Sequence, residues 1–320
     1  MFTVSKILCP FAIVCFTKPY SNENRCPKPC QCYQSMEKDS MSAICGPISI
    51  KDVQNLSLHT LALANITFDD RVLIGDELNS IQFEHLSIES CGGTPQVTSD
   101  RPNRLRIASD QTVIKHRSLT ITNSRNIFDW KWSPYGFQHV LIESGRLYAF
   151  QRPVLSRKFV VKVIGSQVKS VAIIDCKLTA IENGAFNQLS VMKSLRLSRN
   201  KLKEIKSTHF ADQHPHLKQI DLSHNLIETL ATSLFNQFPS LQELNLSNNR
   251  LVKLDWLRPV LKKLDFIDLT DNPIDCKTMC WYSSPASAPH PPILDITECV
   301  YRQNRLPLYD FDAKQFECGN

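Results

Sequence analysis

Nowhere in its 320 residues does this chain carry an apolar run approaching the ~20 residues that cross a bilayer, so no membrane span is expected. It also lacks a nucleophile elbow, a phosphate loop, a zincin helix and a dinucleotide fingerprint. Those absences remove the readily legible enzyme classes, and neither catalysis nor a cofactor is expected. What remains is ordinary for a folded chain: 42% apolar residues supply a core, 21% charged residues a wet surface, and the formal charge is +6.

Against that background one pattern recurs four times: Met192–Leu195–Leu197–Asn200–Leu202, Leu217–Ile220–Leu222–Asn225–Ile227, Leu241–Leu244–Leu246–Asn249–Leu251 and Leu264–Ile267–Leu269–Asn272–Ile274. Its asparagines, Asn200, Asn225, Asn249 and Asn272, follow one another at a nearly constant interval. Alternation in "LRLSRN" and "LNLSNN" turns two side chains inward and their neighbours outward, as a strand requires. The inward residues of one copy stack on the next, and no copy can bury its apolar face alone. Each asparagine sits where the chain leaves the strand, where its amide can satisfy backbone groups of adjacent turns. Phe186, Phe210 and Phe235 recur at the same interval and are expected to pack behind the strands as a spine.

The repeated residues resemble the extracellular leucine-rich-repeat family, whose period they match. The resemblance implies an α/β solenoid: a leucine-rich-repeat horseshoe with a parallel concave sheet and disulfide-bonded caps. Upstream, Val168–Val171–Ile173–Cys176–Leu178 is a fifth copy with cysteine in the asparagine slot. Phe137–Val140–Ile142–Gly145–Leu147, Phe83–Leu86–Ile88–Cys91, the stretch around Leu119, Ile121 and Ser124, and Leu58–Leu61–Leu63 are looser copies. Roughly eight to ten strands are expected. The layout reads as a signal peptide over 1–20, an N-terminal cap over 21–52, irregular repeats over 53–167, regular repeats over 168–274 and a C-terminal cap over 275–320.

The signal-peptide reading rests on Lys6 followed by the apolar run Ile7–Phe16, which Pro10 interrupts. Twelve cysteines agree with an oxidising, extracellular destination. Cys26, Cys30, Cys32 and Cys45 precede the first repeat; Cys276, Cys280, Cys299 and Cys318 follow the last. Each group of four allows three connectivities, and "CPKPCQC" is dense enough to suggest zinc as a rival to disulfides. The family resemblance implies Cys26–Cys32, Cys30–Cys45, Cys276–Cys299 and Cys280–Cys318. Its usual Cys-x-Cys opening of the C-terminal cap is here Cys276-Lys-Thr-Met-Cys280-Trp281, a departure. Cys91 and Cys176 fall about three rungs apart, roughly 14 Å, beyond the about 7 Å a disulfide spans. They are expected to be buried thiols, with an intermolecular bond through Cys91 as the alternative.

Sequons at Asn55, Asn65 and Asn245 are candidate glycosylation sites. Asn245 lies between Leu244 and Leu246 and so points outward from the sheet, where a glycan would mask the middle of that face. The outward members of the regular repeats are Ser194, Arg196 and Ser198; Gln219, Asp221 and Ser223; Glu243, Asn245 and Ser247; and Phe266, Asp268 and Thr270. Of these, Arg196, Gln219, Asp221, Glu243, Phe266 and Asp268 are the candidate partner-binding residues. The face lacks the Trp, Tyr and Arg cluster of an energetic hot spot. It is read equally as a binding surface and as the solvated side of strands. His209, His214 and His216 in "HFADQHPH" suggest a metal, yet no spacing supplies a fourth ligand, and none is expected. Lys201, Lys203 and Lys206 form a basic run that would suit a sulfated glycan or simply a solvated flank. Trp130 and Trp132 are expected on a loop or the convex side, and Ser283–Pro292 reads as a loop within the C-terminal cap.

Two functional classes follow. One is a secreted leucine-rich-repeat protein acting in recognition or adhesion, its partner an extracellular receptor, matrix component or enzyme subunit, with no nucleic-acid ligand. The alternative is a non-catalytic subunit that stabilises a secreted enzyme. The layout is similar to that of arthropod proteins named for the non-catalytic subunit of Oplophorus luciferin monooxygenase.

Overall fold

The computed structural model describes residues 31–34, 41–45, 57–64, 82–89, 118–122, 138–143, 154–160, 164, 166–210, 213–279, 281 and 297–308, with backbone alone for the strands before residue 118. The chain divides into two compact units, Met1–Gln138 with Ser144–Tyr148, and His139–Glu143 with Ala149–Asn320. The signal segment, Cys26, Cys30, Cys91, Cys280, Cys318, Asn55, Asn65, Trp130, Trp132 and the Pro-rich stretch lie outside the described residues.

In the first unit, β1 (Gln31–Gln34) and β2 (Met41–Cys45) pair antiparallel. Strands β3 (Ser57–Ala64), β4 (Gln82–Glu89) and β5 (Ser118–Thr122) then add in parallel, in chain order. The looser copies around Leu61, Leu86 and Ile121 thus do form strands. The antiparallel opening, which places Cys32 on β1 and Cys45 on β2, is a feature that the repeat pattern does not encode.

The second unit contains β6 (His139–Glu143), β7 (Val154–Leu155), β8 (Ser170–Ile174), β9 (Ala180–Ile181), β10 (Ser194–Arg196), β11 (Gln219–Asp221), β12 (Glu243–Asn245) and β13 (Phe266–Asp268). A parallel sheet runs β6–β8–β10–β11–β12–β13, and β7 pairs with β9 apart from it. Every inward position is buried: Val171 and Ile173, Leu195 and Leu197, Ile220 and Leu222, Leu244 and Leu246, Ile267 and Leu269. On β8 the alternation breaks down, because Ala172 and Ile174, at outward positions, are buried too.

Such short strands can stack only if the turns after them are held, and the asparagine side chains do this. Asn200 Oδ1 accepts from the N–H groups of Cys176 (3.1 Å) and Leu178 (3.0 Å), while its Nδ2 donates to Ile173 O (2.8 Å) on the preceding rung and Leu197 O (2.9 Å) on its own. Asn225, Asn249 and Asn272 repeat the arrangement, accepting from Leu202, Ile227 and Leu251 and donating back to Leu197, Leu222 and Leu246. All four are buried. After β8 the buried Cys176 substitutes a thiol, whose Sγ lies 3.2 Å from Ile174 O on its own rung and 3.6 Å from Ile142 O on the preceding one.

The residue before each slot adopts a left-handed backbone: Asp175, Arg199, His224, Asn248 and Asp271 have φ of 48°, 57°, 54°, 55° and 55°. Such a conformation costs a side-chain-bearing residue about 1–2 kcal/mol. It is held here because the N–H at each of the first four donates to the next rung, as in Arg199 to Ser223 O (3.0 Å).

Behind the strands the aromatic spine differs from the expected series. Phe186 stacks on Phe210 (centroids 4.9 Å), but Phe210 continues edge-on to Phe238 (4.8 Å), while Phe235 stacks on Trp256 (5.2 Å). The 3₁₀ turn Thr232–Gln237 brings a second phenylalanine round into the layer just after it, and that ring takes the place.

At the C-terminal end, β14 (Glu298–Tyr301) and β15 (Asn304–Pro307) form a hairpin whose turn residues Arg302 and Gln303 have φ of 47° and 71°. Positive φ at both positions matches the twist of the flanking strands. Val300 N–H donates to Ile274 O (2.6 Å), tying the hairpin to the last repeat. Cys276 and Cys299, the pair that the resemblance implied, are disulfide-bonded with Cα atoms 5.0 Å apart, and both are fully buried.

Two outcomes follow from this fold. Asn225→Ala removes a donor and an acceptor from a buried site at once, so it should lower unfolding free energy by about 2–4 kcal/mol in urea titrations; an effect within error would show the ladder to be dispensable. Cys299→Ala should lose about 2–5 kcal/mol of unfolding free energy, and an unchanged Tm would show that the disulfide does not hold this end of the array.

Candidate recognition face

Register places the outward side chains of β10 to β13 in two columns. One runs Ser194, Gln219, Glu243, Phe266; the other Arg196, Asp221, Asn245, Asp268. The six candidate partner-binding residues therefore belong to one surface, which grades from basic Arg196 to acidic Asp268 across four rungs. Arg196, Gln219, Glu243 and Phe266 are exposed, and Phe266 is one of two large apolar side chains with substantial exposure among the described residues, at 39%.

Neighbouring rungs also interact across the face. Arg196 Nε lies 3.4 Å from Asp221 Oδ2, and Gln219 Nε2 donates to Glu243 Oε2 at 3.0 Å. Both contacts are solvent-exposed and each is worth no more than about 1 kcal/mol. They orient the side chains more than they stabilise the fold.

The second column has a structural duty that its outward placement conceals. Asp221 Oδ1 accepts from Ser223 N–H (3.0 Å) and Ser223 Oγ (2.7 Å). Asp268 does the same with Thr270 (3.0 and 2.7 Å), and Asn245 with Ser247 (2.9 and 2.8 Å). Ser223 and Ser247, expected outward, are held inward by these bonds, and Ser198, which lies two positions after Arg196 and has no such partner, is buried as well; all three are 5–7% exposed. The surface thus offers Arg196, Gln219, Glu243 and Phe266 as exposed side chains, with Asp221 and Asp268 half-buried beside them.

Asn245 is half-buried, and both of the bonds that its side chain makes use Oδ1. Its Nδ2, where an N-linked sugar would attach, makes no hydrogen bond among the described residues. A glycan there is therefore compatible with the turn.

Of the three loop histidines, His216 is exposed while His209 and His214 are buried and turned to backbone. His209 Nδ1 accepts from Lys206 N–H (3.2 Å), and His214 Nδ1 donates to Leu189 O (3.2 Å). Burial, opposed in part by Glu204 and reinforced by Lys206, lowers the pKa of His209 to about 4. In the adjacent basic run Lys201 and Lys203 are exposed, while Lys206 is paired with Glu204 at 2.6 Å. Behind the face, the gap lined by Leu195, Phe210, Ile220 and Leu244 is apolar and offers no polar group for chemistry.

The leucine rich repeat family model matches residues 215–274, the span that holds β11 to β13 and the last three asparagines of the ladder. Comparison with curated proteins finds none that matches the chain. The fold is a leucine-rich-repeat solenoid closed by a disulfide at its C-terminal end, an architecture that generally mediates protein–protein interaction and is typically non-enzymatic. Among the described residues no helix is long and apolar enough to cross a membrane.

The buried His209 makes stability depend on acid. Folded, its ring stays neutral to about pH 4, whereas an unfolded ring protonates near 6.5. The unfolded chain then binds the extra proton between those values, so this stabilisation is complete above 6.5 and lost as pH falls towards 4. The full interval is worth about 3 kcal/mol. His209→Asn keeps an acceptor for Lys206 N–H but does not titrate, and its Tm should decline less between pH 7 and 4.5 than that of the natural protein. Parallel Tm curves would reject His209 as the acid-sensitive group.

Proposed function

We propose that this leucine-rich-repeat chain is a secreted recognition protein that binds an extracellular protein through the outward face of β10 to β13 and performs no catalysis of its own. The observation that carries the reading is the register itself. Four consecutive rungs put Arg196, Gln219, Glu243 and Phe266 onto one surface, with Asp221 and Asp268 beside them. Such a surface provides a charge gradient for orientation and one exposed aromatic as anchor. Secretion is supported by Lys6 and the apolar run Ile7–Phe16, and by the buried Cys276–Cys299 disulfide, a bond that persists in oxidising compartments. Occupied by a glycan, Asn245 would confine a partner to the margins of the face.

A second reading, suggested by the resemblance of the sequence layout to the arthropod luciferin-monooxygenase subunits, is a non-catalytic partner of a secreted enzyme. Affinity capture of the glycosylated chain from native fluid separates the two. Stoichiometric recovery with one enzyme supports the subunit role, and recovery with a receptor or matrix component supports recognition.

The face itself is tested on the captured partner. Asp221→Asn, Glu243→Gln and Asp268→Asn together remove three charges while keeping the oxygens that accept from Ser223 and Thr270. Affinity should fall about tenfold or more with Tm within about 2 °C of the natural protein. Unchanged affinity would move the binding site off this face.

A further inference from the structure

The register that stacks the asparagines also lines up lysines. One position ahead of the strand, successive rungs carry Lys169, Lys193 and Lys218, one lysine to each repeat. Their backbones are joined directly. The Lys169 carbonyl accepts from the N–H groups of Lys193 (2.7 Å) and Ser194 (3.1 Å), and the Lys193 carbonyl from those of Lys218 (2.9 Å) and Gln219 (3.2 Å). The three are therefore held in single file, one rung, or ~4.8 Å, apart. All three are exposed.

The file has a definite end. The next two rungs carry Gln242 and Asp265 at this position, linked by the same backbone bonds. Among the described residues neither Lys193 nor Lys218 has a carboxylate within ion-pair distance, whereas Arg196 and Lys206 each have one. The ammonium of Lys169 is felt by its neighbour His139, whose pKa is lowered by partial burial and, after that, by Lys169. A fixed row of cations at rung spacing thus keeps unneutralised charge at Lys193 and Lys218, and a linear polyanion would relieve it.

The surroundings select among polyanions. The first outward residues of these rungs are Ser170, Ser194 and Gln219, so no aromatic ring is at hand to stack a nucleic-acid base. Nor do they supply the apolar anchor with which a basic surface enters a lipid headgroup layer. A flexible chain of regularly spaced sulfates needs neither.

The structure assigns to Lys169, Lys193 and Lys218 the role of a docking row for a linear sulfated polysaccharide. The row is set by register across rungs, whereas Lys201, Lys203 and Lys206 are neighbours in sequence, and Lys206 is paired with Glu204 while Lys193 and Lys218 have no such partner among the described residues. It borders the first column of the recognition face, one residue ahead of Ser194 and Gln219, but uses none of that column's side chains, so the two surfaces are tested separately. The formal charge of +6 on the whole chain adds long-range attraction.

The test uses the intact glycosylated chain and size-defined heparin at about 0.15 M salt. Replacing Lys169, Lys193 and Lys218 together by Ser should weaken heparin binding at least about tenfold and flatten its salt dependence. Lys201→Ser with Lys203→Ser should change it less than about twofold. Circular dichroism checks the triple variant, and Lys193→Gln with Lys218→Gln serves in its place should it misfold. Four results would overturn the assignment: no heparin binding by the natural chain, equal binding by the row variants, an equal loss in the Lys201/Lys203 variant, or single-stranded DNA or anionic vesicles binding as tightly as heparin. Retention of the protein partner by the row variants is the expected companion result, and its loss would likewise overturn the separation of the two surfaces.

Discussion

One carboxamide per turn holds the solenoid together. So short a strand makes too few ladder bonds to fix where the chain goes next, and the turn after it runs through the interior, where unpaired backbone groups are costly. The asparagine side chain answers both needs, because it alone combines an acceptor with two donors at that length. Oδ1 holds the N–H groups of the preceding rung while Nδ2 holds carbonyls on both rungs, as Asn225 does with Leu202, Leu197 and Leu222. The left-handed residue ahead of each slot, the short strands and the stacked apolar positions are all arranged around that carboxamide.

The outward face inherits its order from this interior. Columns exist because the rungs are in register, and the rungs are in register because their buried halves are stitched together. The face also contributes to the fold in return: Asp221, Asn245 and Asp268 each secure a hydroxyl residue two positions on. Evolution on such a surface is constrained unevenly. Positions of the Gln219–Glu243–Phe266 column can vary with a partner, whereas Asp221, Asn245 and Asp268 are replaceable only by a short side chain bearing an acceptor; Arg196, in the same column, carries no such duty.

Much of this was legible in the residues because it is periodic. The inward leucines and isoleucines, the asparagines and the strand positions of the regular repeats all follow from the steady interval that separates Asn200, Asn225, Asn249 and Asn272. What escaped was set by local turns rather than by the period. Phe235 matches the repeat, yet the 3₁₀ turn it belongs to sends Phe238 to meet Phe210 instead. Ser198, Ser223 and Ser247 read as outward by alternation, but the strand has ended by then and the chain is curling in. Arg199 and His224 give no hint of a left-handed backbone, which glycine or asparagine would have signalled. Lys169, Lys193 and Lys218 look scattered until the rungs are stacked, whereas Lys201 and Lys203 look like a patch only because they are close together in the chain.

The thiol at Cys176 reveals that the stack has a polarity. Every asparagine reaches backwards, towards the N-terminal neighbour, and none reaches forwards. Cys176 reaches back as well, its Sγ lying 3.6 Å from Ile142 O on the preceding rung and 3.2 Å from Ile174 O on its own, but one thiol proton cannot serve two carbonyls as the two of an amide can. The last rung differs, since its own turn is held by no following carboxamide and must be fastened from outside. At that end the hairpin bonds to Ile274 and the disulfide ties Cys276. That end of the array therefore has to be locked by a fastening of another kind.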